Sequence, residues 1–327
     1  MKKNTRDLAY ISRALTPRNR SGVLDISFGW LFALIAGAVI IFLAIYLSSK
    51  LIGTEKETVS AETGKEIGIL LNPLETSFES AQTTSISIPT ETRIHNTCDE
   101  TGSFGRQVIQ LDQKNFGKWT KTEVDVSFEN KYIFSNKEMG GKKFYIFSKP
   151  FSFPFKVADL IYMSSSNERY CFMNAPEEIV TELTNLNRSN LITKNCSLSD
   201  IKVCFSGNCQ INVDYGAGSV KKGGKIVYFA GTGEDSKTLM YAAIFSDADV
   251  YECQLKRLML RVKELSQIYG DKSVIVERAG CENNLREDLA KLSSLADGFG
   301  SSTELELIKL QADDVAARKE VGICILW

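Results

Sequence analysis

The chain has 327 residues, with 39 Lys and Arg against 40 Asp and Glu and a single His. Balanced charge excludes the basic surface that nucleic acids and other polyanions require. A hydrophobic share of 43% with 24% charged excludes an unfolded chain.

In chain order, residues 1–22 are basic, with Lys2, Lys3, Arg6, Arg13, Arg18 and Arg20 opposed only by Asp7. The run Ile26 to Ser49 carries no charge and no proline, and roughly 20 such residues suffice to cross the hydrocarbon core of a bilayer. Positive charge stays on the cytoplasmic side, so the amino terminus is expected inside and Leu51 to Trp327 outside. A secretory signal would have an apolar core of about 7–15 residues followed by an Ala-x-Ala site. This run is longer, and no such site follows it. Gly29, Ala33 and Gly37 recur every four residues and line one helix face with small side chains, where another helix could pack closely.

Arg20-Ser21-Gly22, running directly into this apolar stretch, resembles the class III signal of archaeal type IV pilin-like proteins. Asp25-Ile-Ser-Phe-Gly29 looks like that family's Gln-x-Ser-x-Glu start, with Ser27 matching. Asp25 stands in place of the glutamine and Gly29 in place of the glutamate. The resemblance covers about residues 18–50. It implies removal of the leader by a cytoplasmic-side peptidase, between Gly22 and Val23 or after Leu24, with Asp25 and Ser27 in the recognised run. The freed helix would then pack into a filament core or remain as an anchor.

From Gly53 to about Ala81 the composition predicts a helical stalk toward Pro73. Alternation of apolar and polar residues begins at Thr83 and recurs through about 235, predicting strands. Gly140-Gly141, Gly216-Ala-Gly218 and Gly223-Gly224 read as turns between them. One helix is expected over Pro176–Leu186, with acidic residues in its first turn. The aromatic run Phe144 to Phe155 reads as sheet core, with a ligand groove as the alternative.

After about Ser236 the period becomes helical. Tyr251, Leu255, Leu258, Val262, Leu265 and Tyr269 form one apolar stripe, with Arg257, Arg261, Lys263 and Glu264 off it on a solvated flank. A second helix, capped near Asn284, carries Leu285, Leu289, Leu292 and Leu295. A third begins at Ser301 with Leu305, Ile308, Ala312 and Val315 inward.

The eight cysteines, Cys98, Cys171, Cys196, Cys204, Cys209, Cys253, Cys281 and Cys324, all fall on the expected outer side. An even number there, without a CxxC pair, points to disulfides rather than to zinc. Only Cys204 and Cys209 have a local argument, a hairpin about Ser-Gly-Asn. A bond among Cys253, Cys281 and Cys324 would staple the helices. Asn187 and Asn195 head Asn-x-Ser triplets and are candidate glycosylation sites.

Catalytic signatures are thin. His95 lies near Cys98 in a turn-like stretch, but that thiol reads as disulfide-bonded. Gly231 to Thr238 imitates a phosphate loop with Ser236 in place of the required glycine, and reads as a polar strand-to-helix loop. Asp247, Asp249, Asp313 and Asp314 lack calcium-loop spacing. Two distant carboxylates of glycosidase type stay open.

The sequence therefore predicts an α+β, single-pass membrane protein with a disulfide-stapled extracytoplasmic region. Its parts are a leader over 1–22, a transmembrane helix over 23–50, a stalk over 51–82, a β-rich region over 83–235 and a helical region over 236–327. The last two can form one domain. No cofactor, metal or nucleic-acid partner is expected. The partners are the lipid bilayer and either further copies or other membrane proteins. The expected role is non-enzymatic and pilin-like. A receptor or ligand-binding domain is the alternative.

Overall fold

In the computed structural model, residues 28–71, 82–115, 117–230, 233–280, 284–321 and 326–327 are described. The chain divides into two units, residues 1–55 and 56–327. The first holds the start of α1 (Phe28–Leu71), whose segment Gly29–Lys50 is apolar enough to cross a membrane and has none of its residues buried. The sequence placed a span over 23–50 and a stalk over 51–82 in succession; α1 is helical from Phe28 to Leu71, and residues 72–81 lie outside the described ones.

The second unit is α+β. Its first sheet contains β1 (Gln82–Asp99), β2 (Arg106–Asn115), β3 (Lys118–Phe128), β4 (Tyr132–Phe134), β5 (Glu138–Ser152) and β6 (Lys156–Ser165), in the order β3-β2-β1-β5-β6-β4. All neighbours are antiparallel except β4 and β6. Ile86, Ile94, Ile109, Leu111, Phe144, Ile146, Ile161 and Met163 belong to one apolar cluster supplied almost wholly by this sheet. The sheet therefore curls over its own inner face. Irregularities between Ser87 and Thr92 in β1, Gln110 and Asp112 in β2, and Phe151 and Ser152 in β5 provide the bends.

Gly140 and Gly141, expected in a turn, lie inside β5. A Cβ on Gly141 would come within 2.6 Å of Ser165 Oγ, so close strand approach explains this glycine.

The second sheet joins β7 (Tyr170–Met173), β8 (Leu191–Ile192), β9 (Ile201–Cys204), β10 (Ile211–Asp214), β11 (Ser219–Lys222) and β12 (Lys225–Tyr228), in the order β12-β11-β10-β9-β7-β8. Between β7 and β8 runs α2 (Glu177–Asn185). Cys204 and Cys209 are bonded as expected, but the hairpin is not there: β9 and β10 pair in parallel, Val203 opposite Ile211. The glycine turns at 216–218 and 223–224 are present, linking β10 to β11 and β11 to β12.

Four helices follow: α3 (Glu234–Phe245), α4 (Ala248–Arg278), α5 (Arg286–Asp297) and α6 (Leu305–Val321), the last preceded by a short 3-10 helix at Ser302–Glu304. The predicted stripe is buried through Val262, and Leu289, Leu292, Leu305, Ile308, Ala312 and Val315 are buried as expected. Leu285, the neighbour of Asn284, occupies the cap of α5, without a side-chain capping bond. Phe144, Phe147, Phe151, Phe153 and Phe155 are all buried, so the aromatic run is core.

The largest departure is Arg257. It does not lie on a solvated flank; it is 0% exposed. Its five N–H directions meet acceptors at Phe104 O, Lys131 O, Gln254 Oε1, Phe128 O and Glu129 O, at 2.7–3.3 Å. The guanidinium also stands 4.9 Å from the centroid of the Tyr132 ring. One turn upstream, Cys253 is bonded to Cys98 of β1, so this cysteine staples helix to sheet rather than helix to helix. Cys171 is bonded to Cys196. Cys281 and Cys324 lie outside the described residues.

Two stability predictions follow from these contacts. Arg257→Met leaves four carbonyls facing an apolar chain instead of this donor, and at about 1–3 kcal/mol for each buried acceptor left unsatisfied it should cost several kcal/mol in denaturant unfolding. The Cys98–Cys253 bond closes a separation of 155 residues, and the paired Ser substitution should cost roughly 5 kcal/mol in the chain-entropy treatment. Equal midpoints for wild type and either variant would refute the corresponding assignment.

Candidate functional site

Five ionisable groups converge on a cleft of about 750 Å³ lined by Thr83, Glu177, Glu178, Thr181, Glu182, Asn185, Leu186, Glu234 and Lys237. Its volume lies within the roughly 300–1,000 Å³ of small-molecule sites. Local sequence sets its walls. Pro176 starts α2 and places Glu177 and Glu178 in the first turn, while Glu234 and Asp235 open α3. Acidic side chains at helix starts are favoured by the peptide dipoles.

Lys149, on β5, is bonded to two of the lining glutamates. It is the lone cation in the aromatic run, and its side chain is only 4% exposed. Its Nζ donates to Glu182 Oε1 and, at 2.9 Å, to Glu234 Oε1. Lys237 Nζ donates to Glu234 Oε2 at 2.9 Å and to Glu178 at 3.0 Å. Tyr241 OH donates to Glu182 Oε2 at 3.1 Å, and Tyr215 OH to Glu178 Oε1 at 3.0 Å. The result is an alternating chain, Glu182–Lys149–Glu234–Lys237–Glu178, with a phenol at each end.

The electrostatics follow from these bonds. Hydrogen bonding from Lys237, then from Tyr215, holds the Glu178 carboxyl below its usual range. Burial pushes the Glu234 carboxyl up, but hydrogen bonds from Lys149 and Lys237 outweigh it and the net direction is down. Lys237 is raised, chiefly by its bond to Glu234. Burial raises the Tyr241 phenol, with Glu182 adding to it. An acid–base pair of glycosidase type needs one carboxyl held protonated at neutral pH. Glu178 and Glu234 are pushed the opposite way and are committed to lysines.

The residues singled out in the sequence do not assemble here. Gly22, Val23, Asp25 and Ser27 lie outside the described residues. Gly29, Ala33 and Gly37 lie on α1, where a Cβ added to either glycine would meet nothing within 4 Å. Asn187 and Asn195 are exposed, both with left-handed backbone, φ 49° and 57°. Ser189, the third residue of the first triplet, hydrogen-bonds Tyr145 OH at 2.7 Å.

His95 and Cys98 sit on a strand, not in a turn, and do not pair with each other. The imidazole Nε2 lies 2.9 Å from Asp112 Oδ2, and the thiol is bonded to Cys253. Asp247 stands at the cap of α4, yet its carboxylate accepts from Lys137 N at 2.9 Å instead of capping its own helix. Asp249 is paired with Lys137 and Lys225, whose hydrogen bonds bring its carboxyl down to about 2. Lys237, read within a phosphate-loop imitation, points its amine at glutamates.

Sequence reasoning missed Lys149, Glu178, Glu182 and Glu234. For Lys149 a signal was present: a single charge inside an apolar strand is rarely buried without a partner. Glu182 and Glu234 carried none toward Lys149, from which they lie 33 and 85 residues away; only the Glu234–Lys237 pair is local.

The network has a pH signature. Glu178 and Glu234 are lowered from 4.5 in the folded state, so their stabilisation is present above that value and is lost as pH falls through and below it. The thermal midpoint should fall between pH 6 and pH 3, within about one to two units of the carboxylate range. Glu178→Gln/Glu234→Gln should flatten that fall; an unchanged slope would refute the assignment.

No family model, curated protein or solved structure matches this chain.

Proposed function

We propose that this chain is a single-pass membrane protein whose second unit lies on the extracytoplasmic side. Its role is then assembly with further copies or with other membrane proteins, in the manner of pilin-like proteins. One observation carries the reading: an apolar 22-residue segment of α1 with no residue buried, in a chain whose described residues form three disulfides. An unburied segment of this length finds its apolar environment in lipid or in another helix. The open face at Gly29 and Gly37 supports the second of these, because close helix approach needs small side chains. Disulfides persist on the oxidising side, which agrees with the basic leader remaining inside.

The cleft at α2 and α3 favours a second reading, an anchored binding domain for a polar small molecule. Its charged lining suits hydroxyl- or amine-bearing ligands rather than apolar ones.

Purification from the native membrane separates these readings. Alkaline carbonate should leave the protein in the membrane pellet. Its mass should correspond to a chain starting at Val23, and Gly29→Leu/Gly37→Leu should reduce crosslinked oligomers several-fold. A full-length chain with no crosslinked species would overturn the pilin-like reading and leave the anchored binding domain. Release by carbonate would overturn the anchor itself.

A further inference from the structure

The contact between Lys149 and Glu182 has all the parts of a bond-forming site. The nucleophile is the Lys149 amine, almost completely withdrawn from water on β5. The electrophile is the Glu182 carboxyl on α2, whose Oε1 the amine touches. Tyr241, itself fully buried, donates its phenolic proton to the other oxygen, Oε2, at 3.1 Å. Glu234 Oε1 lies 2.9 Å from the same amine and can take its proton. All four groups belong to well-formed strands and helices, so their encounter needs no further ordering.

We propose that Lys149 and Glu182 are joined by an intramolecular isopeptide bond that the chain forms by itself. Glu234 removes a proton from the Lys149 ammonium, and the free amine attacks Glu182 Cδ. Tyr241 OH holds the oxygen on which negative charge develops. As the tetrahedral adduct collapses, the second carboxylate oxygen leaves with two protons drawn from the amine through Glu234. One C–N bond forms, one C–O bond breaks and one water is released; nothing is oxidised or reduced, and no cofactor enters. In solution such a condensation is unfavourable. Two groups held in contact gain an effective molarity of about 10⁵–10⁸ M, which is what moves this equilibrium toward the amide. The bond would tie β5 to α2 across 33 residues, with no dependence on the redox state that governs the disulfides. This inference concerns the second unit alone and stands whether or not α1 is in a membrane.

Peptide mapping of the full-length, reduced protein by mass spectrometry decides it. The expected result is one branched fragment joining the Lys149 and Glu182 segments, lighter by one water than the two linear fragments together. Finding these segments only as separate linear peptides would overturn the proposal, leaving an ordinary buried ion pair. Lys149→Arg keeps the cation and removes the competent amine, so no branched fragment should form. Tyr241→Phe and Glu234→Gln keep both reacting groups, and should lower the crosslinked fraction several-fold at early times after synthesis. An undiminished fraction in both would overturn the roles given to the phenol and the carboxylate.

Discussion

One guanidinium governs the assembly of the second unit. Arg257 carries a full positive charge into a site with no exposure. A buried cation is tolerated only when its hydrogen-bonding capacity is spent, and here four carbonyls and one amide oxygen spend it. Those carbonyls belong to the 104 loop and to the β3–β4 connection, so the residue ties α4 to two irregular segments at once. The neighbouring Cys98–Cys253 bond fixes the same helix to the end of β1. Gly105 belongs to this arrangement as well. It has φ +59°, and a Cβ there would press within 2.5 Å of Asp99 O and 2.9 Å of Arg257 Cγ.

With α4 anchored, the remaining layers have a surface to pack on. The larger apolar cluster draws Tyr132, Phe134, Leu160 and Tyr162 from the first sheet, Tyr170, Phe172 and Val203 from the second, and Phe245, Tyr251 and Leu258 from α3 and α4. β4, most of β6 and the part of β5 from Phe144 to Phe151 are buried on both faces, since their residues serve both clusters. The long edge strand β3 is blunted by Lys118 and Lys121 and by the irregular register opposite Gln110 to Asp112. Such devices discourage strand addition at this edge.

The cleft obeys a different rule. There the charges alternate, each lysine bridging two glutamates. Lys149 is withdrawn from water while Glu178 and Glu234 remain well exposed. The network therefore has a buried, reactive side and a solvated side facing the cleft. The first is suited to bond formation and the second to polar recognition.

The sequence by itself determined the features that depend on neighbours along the chain. These are the apolar span, the change from strands to helices, the stripes of α4, α5 and α6, the aromatic core of β5 and the glycine turns of the second sheet. Each rests on a period of two or 3.6 residues, or on a local backbone requirement. Tertiary structure alone decided the rest. The parallel pairing of β9 with β10, the curl of the first sheet, the bonding of Cys98 to Cys253 and the burial of Arg257 all join segments distant in sequence. A helical period shows that Arg257 lies off the apolar stripe. It does not show that this flank faces carbonyls instead of water. Likewise Lys149 is visible as one charge in an apolar strand, but its glutamates come from two helices further along the chain. Local pattern records which side chains avoid water; which polar groups replace that water depends on where the chain returns.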